Sequence, residues 1–144
     1  VHGFEGTDYC GLPHRTGNYW LQTLESESDS TINAIVVLDV SDPLHPVEVS
    51  RLPMGEGFGP HWLSPDITGT RIVLTGYGEH LSRRVMMLEF DPETAALSLD
   101  PNFGEGDEFG PGFMLDRQVW PHGETGPARA HGAVFWPPAL PDWK

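Results

Sequence analysis

Residues 34–40 (AIVVLDV) and 85–90 (VMMLEF) are apolar at nearly every position and rich in strand-forming side chains. A strand with one wet face alternates apolar and polar residues. A strand apolar on both faces needs a packed layer on each side. A two-sheet sandwich covers one face only, whereas a radial array of sheets, each lying between two neighbours, covers both. Helical periodicity is weak: few windows carry apolar residues at i, i+3, i+4 and i+7 for three turns, and the 17 glycines and 14 prolines interrupt most of them. Further strands are expected at residues 19–24, 47–52, 60–64, 71–75, 96–99 and 132–136.

The two apolar runs belong to a repeat. Residues 36–49 read VVLDVSDPLHPVEV and residues 86–99 read MMLEFDPETAALSL; in each, a buried strand ends at Asp-Pro, a short turn follows and an outer strand begins. The Asp-Pro pairs start at Asp42 and Asp91, 49 residues apart. The upstream turns Thr16-Gly17-Asn18-Tyr19 and Thr68-Gly69-Thr70-Arg71 lie 52 residues apart. A period of about 40–50 residues carrying four strands is the signature of a β-propeller. The fold is therefore expected to be all-β, with residues 1–144 forming the C-terminal part of a single propeller domain, about its last two to three blades. One blade spans 1–54, with its inner strand near 2–7, and a second spans 55–102. Residues 103–127 form a glycine- and acid-rich excursion, and 128–137 supply one more, closing inner strand. The partners of that strand would come from the rest of the propeller, which closes the ring. The start at Val1, without a charged-then-apolar leader, reads as processed or truncated, and a periplasmic or extracellular place is favoured over a cytoplasmic one. The tail 137–141 (PPALP) is expected to be extended and exposed.

The charge balance narrows the partners. Eight basic residues stand against 21 acidic ones, a net charge of −13 that repels a phosphate backbone and disfavours nucleic acid. No apolar run approaches the roughly 18–20 residues that span a bilayer. Cys10 is the single cysteine, so it forms no internal disulfide and no CxxC pair, and it reads as a packed residue. Ser64 and Ser82 lack a GxSxG setting, and neither GxGxxG nor GxxxxGK[ST] occurs, so no nucleotide or flavin cofactor is expected.

In a radial array the first residues of successive sheets meet at a central channel. His2 (Val-His-Gly), His61 (Gly-Pro-His-Trp) and His131 (Ala-His-Gly) stand at or just before expected inner strands, 59 and 70 positions apart. Converging neutral imidazoles suit copper, zinc or iron; a merely polar channel is the alternative. His122 (Trp-Pro-His-Gly) is a fourth candidate at the channel mouth, with a turn residue as the plainer alternative. His14, His45 and His80 fall in loops or turns, and residues 25–31 (ESESDST) read as a solvated loop. Trp62 should point to the face opposite His61. Asp39 and Glu89, matched in the repeat, read as partners of turn donors. The tryptophans and Phe135 read mainly as packing between blades.

Four motifs in order carry a resemblance to a family. Leu38-Asp39-Val40-Ser41-Asp42-Pro43 with Pro46 resembles the "DISDP…P" stretch of selenium-binding proteins and methanethiol oxidases. Leu63-Ser64-Pro65-Asp66 with Arg71-Ile72-Val73-Leu74-Thr75 resembles their "LSLDGKRLYVTN". Residues 85–90 and 97–103 resemble their "VMLQVDVDT…LKLNPNF", and residues 126–131 their "GPALAH". Residues 120–123 and 131–135 are also similar to a "WPHG…HGAVF" pattern of bacterial propeller proteins. The resemblance implies a seven-bladed propeller and oxidation of methanethiol with copper held by histidines, of which His131 carries over directly. Three positions depart: the family's Glu after that histidine is Gly132, the Gln of its "GGPQ" is His61, and its "WLHG" reads Trp20-Leu21-Gln22-Thr23.

The expected function is a copper-dependent oxidoreductase acting on a small thiol or similar substrate, with His2, His61, His131 and His122 as the candidate metal residues. A non-catalytic propeller serving as a binding or structural scaffold is the alternative.

Overall fold

A computed structural model describes residues 11–26, 29–77, 80–108 and 110–136. The protein is all-β, and these residues contain no α-helix. Sheet 1 consists of β1 (His14–Thr16), β2 (Tyr19–Leu24), β3 (Ala34–Asp39) and β4 (Val47–Pro53), antiparallel in chain order. Sheet 2 repeats the plan with β5 (Gly59–Pro65), β6 (Arg71–Tyr77), β7 (Arg84–Asp91) and β8 (Ala96–Leu99). A short β9 (Phe113–Met114) pairs with the start of β7. Single 3-10 turns at Ser30–Ile32 and His80–Arg83 lead into β3 and β7. No helix among the described residues is long and apolar enough to cross a membrane.

The repeat survives at the level of single hydrogen bonds. Trp20 pairs with Leu38 in sheet 1 as Ile72 pairs with Leu88 in sheet 2. The Val40 amide donates to Asn18 O at 2.8 Å, and the Phe90 amide donates to Thr70 O at 2.8 Å. Tight turns set this register: Gly17, at a φ of 56°, sits in the two-residue link between Thr16 and Tyr19. Asp66 closes the β5–β6 turn by accepting from the Thr68 amide at 3.1 Å.

Alternation then assigns faces. Tyr19, Leu21, Ile35, Val37 and Leu52 share the near face of sheet 1. Leu63, Ile72, Leu74, Met86, Leu88, Phe90 and Leu97 share one face of sheet 2. The two faces meet in one core, where Tyr19 packs edge-on against Phe90 at 5.5 Å. At about 1.5–3 kcal/mol for each large apolar side chain removed from water, this seam dominates the packing energy. Equivalent strands lie against each other, β4 near β8 and β1 near β5, with β2 also reaching β5. The sheets therefore stack head to tail, the near face of one on the far face of the next.

Several expectations are corrected. Residues 132–136 are unpaired among the described residues, and the segment lies on sheet 2, where the Thr75 hydroxyl donates to His131 O at 3.0 Å. The closing strand drawn at 128–137 has no partner among the described residues, as its expected partners lie outside them. His14 lies in β1 opposite Leu21, not in a loop. The 25–31 loop is not solvated at its start: Glu25 and Ser26 are each 1% exposed, and the Ser26 amide donates to the buried Asn33 side chain at 2.8 Å. Trp136 is exposed rather than packed between sheets. The inner strand drawn at 2–7, Cys10 and the tail beyond 136 lie outside the described residues.

Candidate functional site

The β5 edge of the seam gathers a polar and aromatic cluster. Pro60 pairs with Gly76 and Trp62 with Thr75, which leaves His61 as the extra residue of a bulge. A bulge breaks the two-residue alternation and re-aims side chains. His61 and Trp62 both reach His131, with ring centres 5.1 and 6.2 Å away. The bulge is tied down from sheet 1's side: the Leu12 amide and the Thr23 hydroxyl both donate to His61 O, at 3.1 and 3.3 Å.

Glu25, at the end of β2, crosses the seam, and its carboxylate accepts from His61 Nδ1 at 2.9 Å. In a neutral ring, an Nδ1–H given to this buried carboxylate leaves the lone pair on Nε2, the arrangement by which an outer carboxylate orients a ligand or base histidine. Gly59 makes room for it: a Cβ there would stand 3.0 Å from Glu25 Oε1 and 2.6 Å from Tyr77 O. The Gly59 amide donates to the buried Ser82 hydroxyl at 2.9 Å, which fixes the strand start.

Tyr77 completes the cluster, its ring centre 5.2 Å from His61 and 5.9 Å from His131. The Arg129 guanidinium lies over the Tyr77 ring at 5.4 Å, a cation–π contact. The segment carrying Arg129 and His131 is pinned by the Thr75 bond and by Gly132, where a Cβ would lie 2.8 Å from the Trp62 ring. The Trp62 indole thus occupies the space that a larger residue after His131 would need.

Of the four candidate metal residues, the fold joins His61 and His131. His122 stacks on Trp120 at 6.3 Å in the excursion, where the Trp120 indole donates to Gly126 O at 2.8 Å. His2 lies outside the described residues. Among the described residues no three His, Cys, Asp or Glu side chains are grouped so as to hold a metal ion. His45 pairs with Asp42 at 2.8 Å on the exposed turn, and burial pushes the His14 pKa down. Asp39 accepts from the Ser41 hydroxyl and amide, which holds its carboxyl below the usual range. Glu25, Tyr77 and Arg129 are the residues sequence reasoning missed. Glu25 is hidden in a run of serines and acids, and only the Gly-Pro preceding His61 hints at a distorted strand.

No family model and no curated protein sequence matches the chain. Among solved structures, a Bacteroides fragilis protein described provisionally as a 6-phosphogluconolactonase is similar in fold. The TM-score is 0.50 at 14% identity, over 62% of this chain and 24% of that one. The chain thus spans about a quarter of the length of that relative.

Proposed function

We propose that the two stacked sheets are adjacent blades of a β-propeller, and that His61 and His131 form part of a metal site at its channel. The metal would be copper, serving oxidation of a small thiol-type substrate as in the selenium-binding protein and methanethiol oxidase superfamily. One observation carries the reading: two histidines 70 positions apart lie with ring centres 5.1 Å apart, one of them oriented by a buried carboxylate. Two imidazoles bound at 2.0–2.1 Å to one tetrahedral ion place their ring centres about 5 Å apart. The head-to-tail stacking of equivalent strands supports the ring, because a repeated head-to-tail contact generates a ring where its rotation closes.

His61, through Nε2, and His131 would hold the ion, with Glu25 fixing the His61 tautomer; further ligands would come from His2 or from other blades. When bound, copper would supply the electron-accepting chemistry. The chain's own residues orient the imidazoles, and Tyr77 and Trp62 wall them with aromatic surface. Copper and zinc titration calorimetry on the protein tests this. His61→Ala or His131→Ala should weaken binding at least about tenfold, and Glu25→Ala by about tenfold through loss of orientation. Absence of binding by the wild-type protein, or unchanged affinity in both histidine variants, would leave the aromatic and histidine cluster as a scaffold's ligand-contact surface instead.

A further inference from the structure

Arg129 reaches the histidine cluster from the segment that carries His131, two positions earlier in the chain. Both side chains meet the Tyr77 ring: the guanidinium carbon lies 5.4 Å from its centre, and the His131 ring centre 5.9 Å. His61 meets the same ring at 5.2 Å. Tyr77 is therefore a shared wall, with two imidazoles and one guanidinium gathered around it. Arg129, His131 and Tyr77 are all exposed, so this side of the cluster is open to a solute.

The placement runs against the charge of the chain. Eight basic residues stand against 21 acidic ones, and the field of the whole molecule repels anions. A guanidinium at the cluster reverses that sign locally. Its planar fork of N–H donors matches a carboxylate, with parallel charge-assisted hydrogen bonds. The Glu25 carboxylate does not oppose it at the open side, being 1% exposed and turned to His61 Nδ1. Arg129 also stands at the leucine of the "GPALAH" stretch that residues 126–131 resemble. Leucine there would offer a substrate apolar surface alone, whereas a guanidinium offers an anion a partner.

We infer that Arg129 is a substrate-binding residue and that the substrate is a small anion, a thiol carrying a carboxylate at the other end of a short carbon chain. The carboxylate lies on the guanidinium, the sulfur is directed to His61 and His131, and Tyr77 flanks the chain between them. Trp62 limits the size, because its indole fills the space beside Gly132. The sulfur end rests on the metal-site reading, whereas the carboxylate end rests on Arg129 and Tyr77 alone.

Nuclear magnetic resonance titration of the metal-free protein tests it, followed at the Trp62 indole and His131 ring signals. Propionate, which carries the carboxylate without the thiol, should shift these signals saturably, and propanol of the same size should not. Arg129→Leu should weaken propionate binding about tenfold or more, the size of one lost charge-assisted hydrogen bond. Arg129→Lys should keep the preference for propionate over propanol at lower affinity, since it retains the charge without the fork. Arg117→Leu, which removes the guanidinium lying over Trp120 at 5.7 Å, should leave propionate affinity unchanged. Unliganded Arg129→Leu should show the wild-type Trp62 and His131 signals. Equal affinity for propionate and propanol, or undiminished propionate binding by Arg129→Leu, overturns the inference. Displaced Trp62 and His131 signals in that unliganded variant also overturn it, in favour of an arginine that only holds its segment. Zinc titration of the same proteins separates the two readings. Zinc binding without propionate binding removes only the carboxylate anchor, and propionate binding without zinc or copper binding removes only the metal centre.

Discussion

Sheet 1 and sheet 2 share strand order, register and turn chemistry, yet their matched positions carry different residues. Trp20 stands where sheet 2 has Ile72, Gln22 where it has Leu74, and Ala34 where it has Arg84. Sheet 2 buries Ile72, Leu74 and Leu88 completely against its neighbour, while the matching face of sheet 1 is half open at the turn end. The difference teaches that turns and backbone pairing preserve the frame, while the neighbour on each side dictates the side chains. Arg84 is the sharpest case: it is 1% exposed and binds Gly110 O, Pro111 O and the Asp107 carboxylate, so it holds the 104–112 excursion against sheet 2. Ala34 has no such loop to hold.

The largest effect should come from the seam. Leu74→Ala is expected to destabilise by about 2–5 kcal/mol in urea unfolding, and Leu38→Ala on the open face by under about 1.5 kcal/mol. Equal costs would erase the distinction between the two faces. Next, Arg84→Met should cost about 1–3 kcal/mol, by removing hydrogen bonds to part-buried carbonyls and to the Asp107 carboxylate. Faster hydrogen exchange is expected at the Gly112 amide, which bonds Phe103 O at 2.8 Å; an unaltered rate would mean that the excursion stands without Arg84. Gly132→Ala should cost about 1–3 kcal/mol by overpacking against the Trp62 ring, and a red-shifted tryptophan emission would report the displaced segment.

The smallest effect concerns the paired turns. The His45 ring bond holds Asp42 below the usual carboxylate range, and the Thr94 hydroxyl does the same for Asp91. A carboxyl depressed in the fold contributes stability above its unfolded value, about 3.9, and loses it as pH falls through the folded value. Asp42→Asn and Asp91→Asn should each slightly flatten the fall of stability below about pH 4, read by thermal unfolding across an acid series. Both carboxylates are fully exposed, so the change is small for each. A flattening for only one of them would show that the turns are not equivalent.

Much of the frame was legible in the residues. Of the nine expected strands, seven are present and one, near 2–7, lies outside the described residues; doubly apolar runs such as residues 34–40 and 85–90 permit few other states. The last, at residues 132–136, has a strand-like composition, but pairing requires a partner that composition does not reveal. His61 and His131 meet by a route that the repeat did not indicate, because His131 is carried by an unpaired segment laid on sheet 2 and not by the head of a third sheet. The carboxylate beside His61 was not legible either. Glu25 is one of several acids in a serine-rich stretch, and its burial depends on a crossing between sheets. The bulge at His61 was equally hidden, because an inserted residue leaves the apolar pattern of β5 almost unchanged.

Glu25 and His61 come from different sheets. During folding, neither half alone can hold the imidazole against that carboxylate, so the orientation of His61 arrives only with completed assembly. On the proposed metal-site reading, a nascent or half-opened chain would then carry an unaligned histidine and bind an ion less tightly than the assembled pair of sheets.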